Sequence, residues 1–197
     1  MEPRQKFFEQ LAHEWNSQQP DDRETHLRFL LSKIAPYLQG NKHLLVIGSG
    51  TGVLSPLLLD YCINKSIFSL DIAYAMLAIN RKQDTEANIV QGDAHHLPLA
   101  AEIFDCVICH DSFPHFQNQI AMLNEVSRVL TTNGYLVIMH DINREQVNHT
   151  HRMASSATIH NDLLPDSAYM CYLMNSTGLK EVKFDEGDDF YLAVGQK

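Results

Sequence analysis

The sequence predicts an α/β fold, a mostly parallel sheet with helices on both faces. Three observations carry that reading. The apolar run Leu44–Ile47 breaks into Gly48, Gly50 and Gly52, then resumes at helical spacing through Leu59: a strand, a tight turn and a helix. Further strand-length apolar runs alternate with amphipathic stretches of helical length. The chain ends in two strand-like segments, about 178–184 and 190–194, which read as a closing hairpin.

At 197 residues the chain is sized for one domain with a real core. Its net charge of −9 argues against a nucleic-acid backbone as main partner. No apolar run is long enough to span a bilayer, and the first 15 residues carry no signal-peptide pattern. The expectation is a cytoplasmic protein, monomer or homodimer, with neither nucleic acid nor membrane as partner. Cys62, Cys106, Cys109 and Cys171 form no disulfide framework. Cys106 and Cys109 lie three apart in a strand-like run, so they should face opposite sides of a sheet rather than share a metal.

In chain order, Phe7, Phe8, Leu11, Ala12 and Trp15 form a helical stripe, and Leu27, Leu30, Leu31, Ile34 and Leu38 form another over 25–38. The polar linker 18–22 separates them, and Gly40-Asn41 ends the second. Gly48 and Gly50 allow positive φ and close approach of a ligand to the backbone. The N–H groups opening the next helix would face that ligand, so a nucleotide-like cofactor belongs here. The strand 66–71 ends in Asp71, about 20 residues past the glycines, the spacing at which an acid meets ribose hydroxyls. A third strand ends at Asp93, and a fourth spans 104–110. The loop 111–116 leaves its carboxyl end, where open α/β sheets bind ligands. A helix over 118–130, a turn at 131–134 and a strand over 135–139 follow. Residues 140–165 are polar and rich in histidine, and lead into a helix at about 165–175.

Several of these stretches resemble one family. The glycines read G-x-G-x-G, not the dinucleotide G-x-G-x-x-G, and resemble motif I of the class I S-adenosylmethionine (AdoMet) dependent methyltransferases. Asp71 to Leu77 is similar to that family's D-x-S-x-x-M-L, with Ala73 in place of Ser. Gly92 to Pro98 resembles its adenine-binding G-D-A-x-x-L-P. Phe104 to Val107 matches the F-D-x-V of motif IV, and Glu125 to Ile138 is close to E-x-x-R-V-L-K-P-G-G-x-L-x-I. The resemblance runs from about Phe7 to the C-terminus and is nearest to UbiE-like methyltransferases of small molecules.

The resemblance implies a Rossmann-like seven-stranded sheet in the order 3-2-1-4-5-7-6 with the seventh strand antiparallel. It implies a helical cap over residues 1–40, a cofactor domain over 41–197, and a substrate-side insert at 140–165. It implies AdoMet as cofactor, held by Gly48, Ser49, Gly50, Gly52, Asp71, Ile72, Met76, Asp93, Ala94 and His110. Asp93 would take the adenine amino hydrogen and the Ala94 N–H a ring nitrogen. Val46 stands where the family usually carries an acid, a departure that bears on the methionine end.

Methyl transfer to a small-molecule acceptor mainly needs alignment and exclusion of water, and for some acceptors a general base. His115, on the motif IV loop, is the first candidate base, with Asp111 and His151 as further catalytic candidates. His115, His140, Asn148 and His151 are the expected acceptor contacts. A set of His115, His140, His151 and His160 would suit a transition metal, but no tight ligand motif such as H-E-x-x-H is present and no metal is assigned. The competing readings are a non-catalytic AdoMet- or metal-binding protein on the same fold and a nicotinamide-dependent oxidoreductase. The glycine spacing and the G-D-A-x-x-L-P segment speak against the latter.

Overall fold

The structure, a computed structural model, describes residues 2–197 (for 41, 42 and 63–65, the backbone). Its elements are α1 (Pro3–Trp15), α2 (Arg23–Leu38), β1 (Asn41–Ile47), α3 (Ser55–Leu58), β2 (Cys62–Asp71), α4 (Tyr74–Gln83), β3 (Asn88–Gln91), β4 (Phe104–His110), α5 (Gln119–Val129), β5 (Leu130–His140), α6 (Arg144–Met153), α7 (Ser167–Ser176), β6 (Lys180–Glu186) and β7 (Tyr191–Gln196). The strands form one seven-stranded sheet in the order β3-β2-β1-β4-β5-β7-β6. β7 runs antiparallel to both neighbours, and the pairs on the β3 side of β5 are parallel. This is the expected architecture.

Side chains alternate across the sheet, so the central strands feed two cores. Leu45, Ile47, Val107, Cys109, Leu136 and Ile138 pack with α5 and α7 on one face. Leu44, Val46, Cys106, Ile108, Val137 and Met139 pack with α2 and α3 on the other. Cys106 and Cys109 thus face opposite sides, and burial pushes both thiols up, away from the thiolate. Cys106, Cys109 and Cys171 are free thiols.

Two local expectations are corrected. The helix after the glycines is a single turn, because β2 begins at Cys62, before the expected Ser66, and leaves no room for more. The segment 131–134 is not a chain reversal but part of β5, where Asn133 donates to Lys197 O and Lys197 donates back to Gly134 O. Asn133 takes φ 66, so the strand is pinched there without ending. Inside the polar insert, Asn143 and Gln146 form a capping box that starts α6.

The two leading helices also part company. α2 lies against the sheet and buries Leu27, Leu30, Leu31, Ile34 and Leu38. α1 packs instead on α4, through Ala12, Ala73 and Met76 with Phe8 and Trp15 beside them. Both Glu9 carboxylate oxygens accept from the open N–H groups of α4, Tyr74 N at 2.7 Å and Ala75 N at 2.8 Å. A carboxylate at a helix N-terminus satisfies free donors and meets the positive end of the dipole. That cap holds α1 across the carboxyl ends of β1 and β2.

Candidate functional site

The strand order reverses between β1 and β4, and a cavity opens at the carboxyl ends of these strands, as such sheets dictate. Its walls come from the glycine turn, the ends of β2, β3 and β4, the loop 111–117 and α1. Gly48 and Gly50 have φ 68 and 55. A Cβ on Gly48 would lie 2.4 Å from Ser112 Cβ, so that glycine is needed for packing against the motif IV loop, where Ser112 Oγ donates to Ile47 O. A Cβ on Gly52 would fall 2.3 Å from Asn80. Gly52, expected to touch the cofactor, therefore packs on α4 and is not among the residues that line the cavity. Gly50 has open space around it, with Trp15 Nε1 3.9 Å from where a Cβ would stand.

Asp71 ties this turn to β2. Its Oδ2 accepts from Gly50 N at 2.8 Å and its Oδ1 from Ala73 N at 2.9 Å. Burial pushes its carboxyl up, and these backbone N–H groups offset part of that. Each carboxylate oxygen keeps a second lone pair for a ligand hydroxyl. At the end of β3, Asp93 Oδ1 takes both the backbone N and ring Nδ1 of His95, at 2.9 and 2.6 Å, which leaves Oδ2 for a ligand donor. Partial burial opposes ionisation of Asp93, but the His95 bonds outweigh it and hold the carboxyl below its ordinary value.

Gly48, Ser49, Gly50, Asp71, Ile72, Met76, Asp93, Ala94 and His110 all line the cavity, as do Asp111 and His115. Val46 lines it too and presents an apolar wall where an acid is usual. Asn148, His140 and His151, expected to contact the acceptor, are not among the residues that line this cavity. Asn148 is buried and clamps Leu164 in both directions, Nδ2 to Leu164 O at 3.0 Å and Leu164 N to Oδ1 at 2.7 Å. His140 is buried behind Asp111, its Nδ1 3.2 Å from Asp111 Oδ1. His151 stands behind His115, rings 4.9 Å apart, its Nδ1 bonded to Asp162 O. Burial, with the neighbouring His115, holds the His151 imidazole below its ordinary value.

Two polar clusters bound the cavity. In the first, His115 Nδ1 lies 2.8 Å from Asp162 Oδ2, and Asp162 is also gripped by Arg4 through Nε and Nη2. Burial opposes ionisation of Asp162, but His115 and Arg4 together hold its carboxyl below the usual range. In the second, His110 Nε2 sits 2.7 Å from Asp141 Oδ1 and 3.3 Å from Asp111 Oδ2. Burial disfavours charge on His110, yet Asp111 and Asp141 raise its imidazole overall. Burial likewise opposes ionisation of Asp111, while His110 and His140 pull its carboxyl well down. Asp111 holds φ 49 with its N–H on Met139 O, a strained conformation of the kind that collects at functional sites.

Sequence reasoning missed Arg4, Arg23, Asp141 and Asp162. Asp141 was open to detection, as the first residue after a strand adjoining the motif IV strand. Arg4, Arg23 and Asp162 carry no sequence signal, because only the folded chain brings the N-terminal helices and the insert to the sheet edge.

This fold is an α/β sandwich with a Rossmann-like sheet in the strand order that methyltransferase structures share. Residues 45–138 match the family model described as a methyltransferase domain. The demethylmenaquinone methyltransferase of Thermotoga maritima is 33% identical over 93 residues, 47% of this chain and 41% of that protein. The ubiquinone/menaquinone biosynthesis C-methyltransferase UbiE of Wigglesworthia glossinidia brevipalpis is 36% identical over 107 residues, 50% of this chain and 42% of that protein. The alignments thus span less than half the length of these relatives. A methyltransferase from Thermotoga maritima superposes with TM-score 0.75 at 20% identity over 96% of this chain and 98% of that one. One from Aquifex aeolicus gives 0.72 at 14% identity, over 94% and 97%. The likeness to methyltransferases in sequence thus covers residues 45–138, just under half of the chain, while the Rossmann-like fold is shared over nearly all of it. The donors and acceptors of the cavity fit AdoMet: Asp71 retains lone pairs for a ribose diol, Asp93 a free oxygen for an adenine amino group, and Gly50 an open face.

Proposed function

We propose that this chain transfers the AdoMet methyl group to a small-molecule acceptor, with His115 as the general base. AdoMet would supply an activated methyl carbon, and the protein must orient the acceptor and take up its proton. The observation that carries the reading is the Arg4–Asp162–His115 chain at the cavity wall. Asp162 is held ionised and accepts hydrogen bonds only, so His115 Nδ1 donates to it. Nε2 is then the basic atom of the ring, available to an acceptor hydroxyl or amine. Asp162 orients the imidazole and stabilises it once protonated, and Arg4 orients Asp162. Phe8, Trp15 and Phe116 give the same region an apolar lining that excludes water.

Asp71 would hold the ribose hydroxyls, Asp93 and Ala94 the adenine, and the glycine turn the methionine end. α1 serves as a lid pinned by Glu9 on α4 and by Arg4 on Asp162. The names of the UbiE relatives favour an acceptor with a ring that Phe8 and Phe116 could flank. No helix among the described residues is long and apolar enough to cross a membrane.

Calorimetry with AdoMet and S-adenosylhomocysteine tests the cofactor reading, on the wild type, Asp71→Asn and Asp93→Asn. Saturable binding weakened in both variants supports it and justifies an acceptor screen. No binding at millimolar cofactor would overturn it.

A further inference from the structure

The geometry points to a divalent-cation site at the polar end of the cavity, formed by His110 Nε2 and one carboxylate oxygen each of Asp111 and Asp141. These three atoms lie within 4.8 Å of one another. Ligands about 2.1 Å from a shared ion stand roughly 3–4 Å apart, so only small side-chain adjustments separate the observed arrangement from coordination.

The fold supplies this set directly. β4 and β5 are parallel neighbours with His110 opposite Met139, so His110 and Asp111 at one strand end meet Asp141 just past the other. Asp111 is oriented from behind. Its Oδ1 accepts from Asp141 N at 3.1 Å and stands 3.2 Å from His140 Nδ1, while its Oδ2 faces His110 Nε2. Partners of this kind fix a ligating carboxylate before an ion arrives.

A second, independent observation points to a ligand at the same place. Arg23 lines the cavity beside Asp141, is only 9% exposed, and its Nε makes no hydrogen bond; Asp141 Oδ2 is 3.6 Å away. That Nε is held by a long ion pair to Asp141 and lacks a hydrogen bond, which an anionic oxygen of a bound ligand would supply. The charges agree, since two carboxylates, a divalent ion and Arg23 leave one positive charge. An anionic oxygen bound to the ion and hydrogen-bonded to Arg23 would neutralise it. One imidazole with two carboxylates and open positions suits Mn²⁺ and its transition-series neighbours better than Ca²⁺, which takes all-oxygen shells. The site goes beyond methyl transfer and does not depend on it.

The test is a Mn²⁺ titration of the chelator-stripped full chain without AdoMet, followed by loss of the free-ion electron paramagnetic resonance signal. The wild type should show one saturable site. His110→Gln and Asp141→Asn should each weaken it at least tenfold, with far-UV circular dichroism confirming a native fold; Asp141→Glu replaces Asp141→Asn if that variant does not fold. His149→Ala, an exposed histidine of the insert, should leave binding unchanged. No saturable binding up to millimolar Mn²⁺, or binding equal in His110→Gln and wild type, would overturn the proposal. Because AdoMet is omitted, either result stands apart from the methyltransferase reading.

Discussion

His115 Nδ1 and Asp162 Oδ2 meet at 2.8 Å although 47 residues separate them in the chain. One belongs to the loop after β4, the other to the insert before α7. Their contact joins the expected chemistry of the motif IV loop to a segment whose role the sequence does not reveal.

Replacing Asp162 should therefore damage turnover more than binding. For Asp162→Asn we expect kcat to fall by about 10- to 100-fold with an acceptor that needs deprotonation, while AdoMet affinity stays near the wild-type value. Steady-state kinetics beside cofactor calorimetry check this; equal loss in both would show a merely structural role.

The same substitution has a pH signature. The Asp162 carboxyl is held below its ordinary value in the folded chain. Its contribution to stability is present above the unfolded value, about 4, and is lost as pH falls through the depressed folded value. Thermal unfolding of the wild type should lose stability more steeply on acidification below about pH 4 than that of Asp162→Asn. At neutral pH the variant should be less stable by about 2 kcal/mol, because Arg4 loses a charged partner. Parallel acid limbs in the two proteins would sink this assignment.

Asp71 predicts the opposite behaviour for ligand binding. Burial pushes its carboxyl up, and only the ionised form has both oxygens free to accept. AdoMet affinity should begin to fall on acidification while Asp93, held below its ordinary value, is still ionised. Calorimetry across mildly acidic pH measures the midpoint, which should disappear in Asp71→Asn.

The glycines separate into packing and access. Gly52→Ala meets Asn80 at 2.3 Å from a left-handed φ of 88 and should cost about 2–4 kcal/mol of stability. Gly50→Ala has free space at φ 55 and should cost about 1 kcal/mol, yet weaken AdoMet binding more than its stability loss suggests. Urea unfolding and cofactor titration of the two variants distinguish them.

Trp15 provides a built-in reporter, being the sole tryptophan of the chain and part of the cavity wall. Its fluorescence should change saturably on AdoMet addition and not in Trp15→Phe. Glu9→Gln should weaken the α1–α4 cap by about 1 kcal/mol and raise protease sensitivity within α1. An unchanged digestion pattern would show that the cap does not hold the lid.

The sequence by itself determined the sheet, its glycine turn and the two acids at the ends of β2 and β3. These are local signals: period-two and period-3.6 apolar patterns, glycines at required positive φ, and acids at strand ends, all within short windows. It also placed Cys106 and Cys109 on opposite faces, since that follows from strand geometry alone. Tertiary structure alone decided which polar residues meet. His140 and Asn148 turned inward to hold Asp111 and Leu164, while Arg4 and Asp162 came to the cavity from opposite parts of the chain. A buried polar group must find a partner wherever packing supplies one, and the identity of that partner is a property of the assembled core rather than of spacing along the sequence.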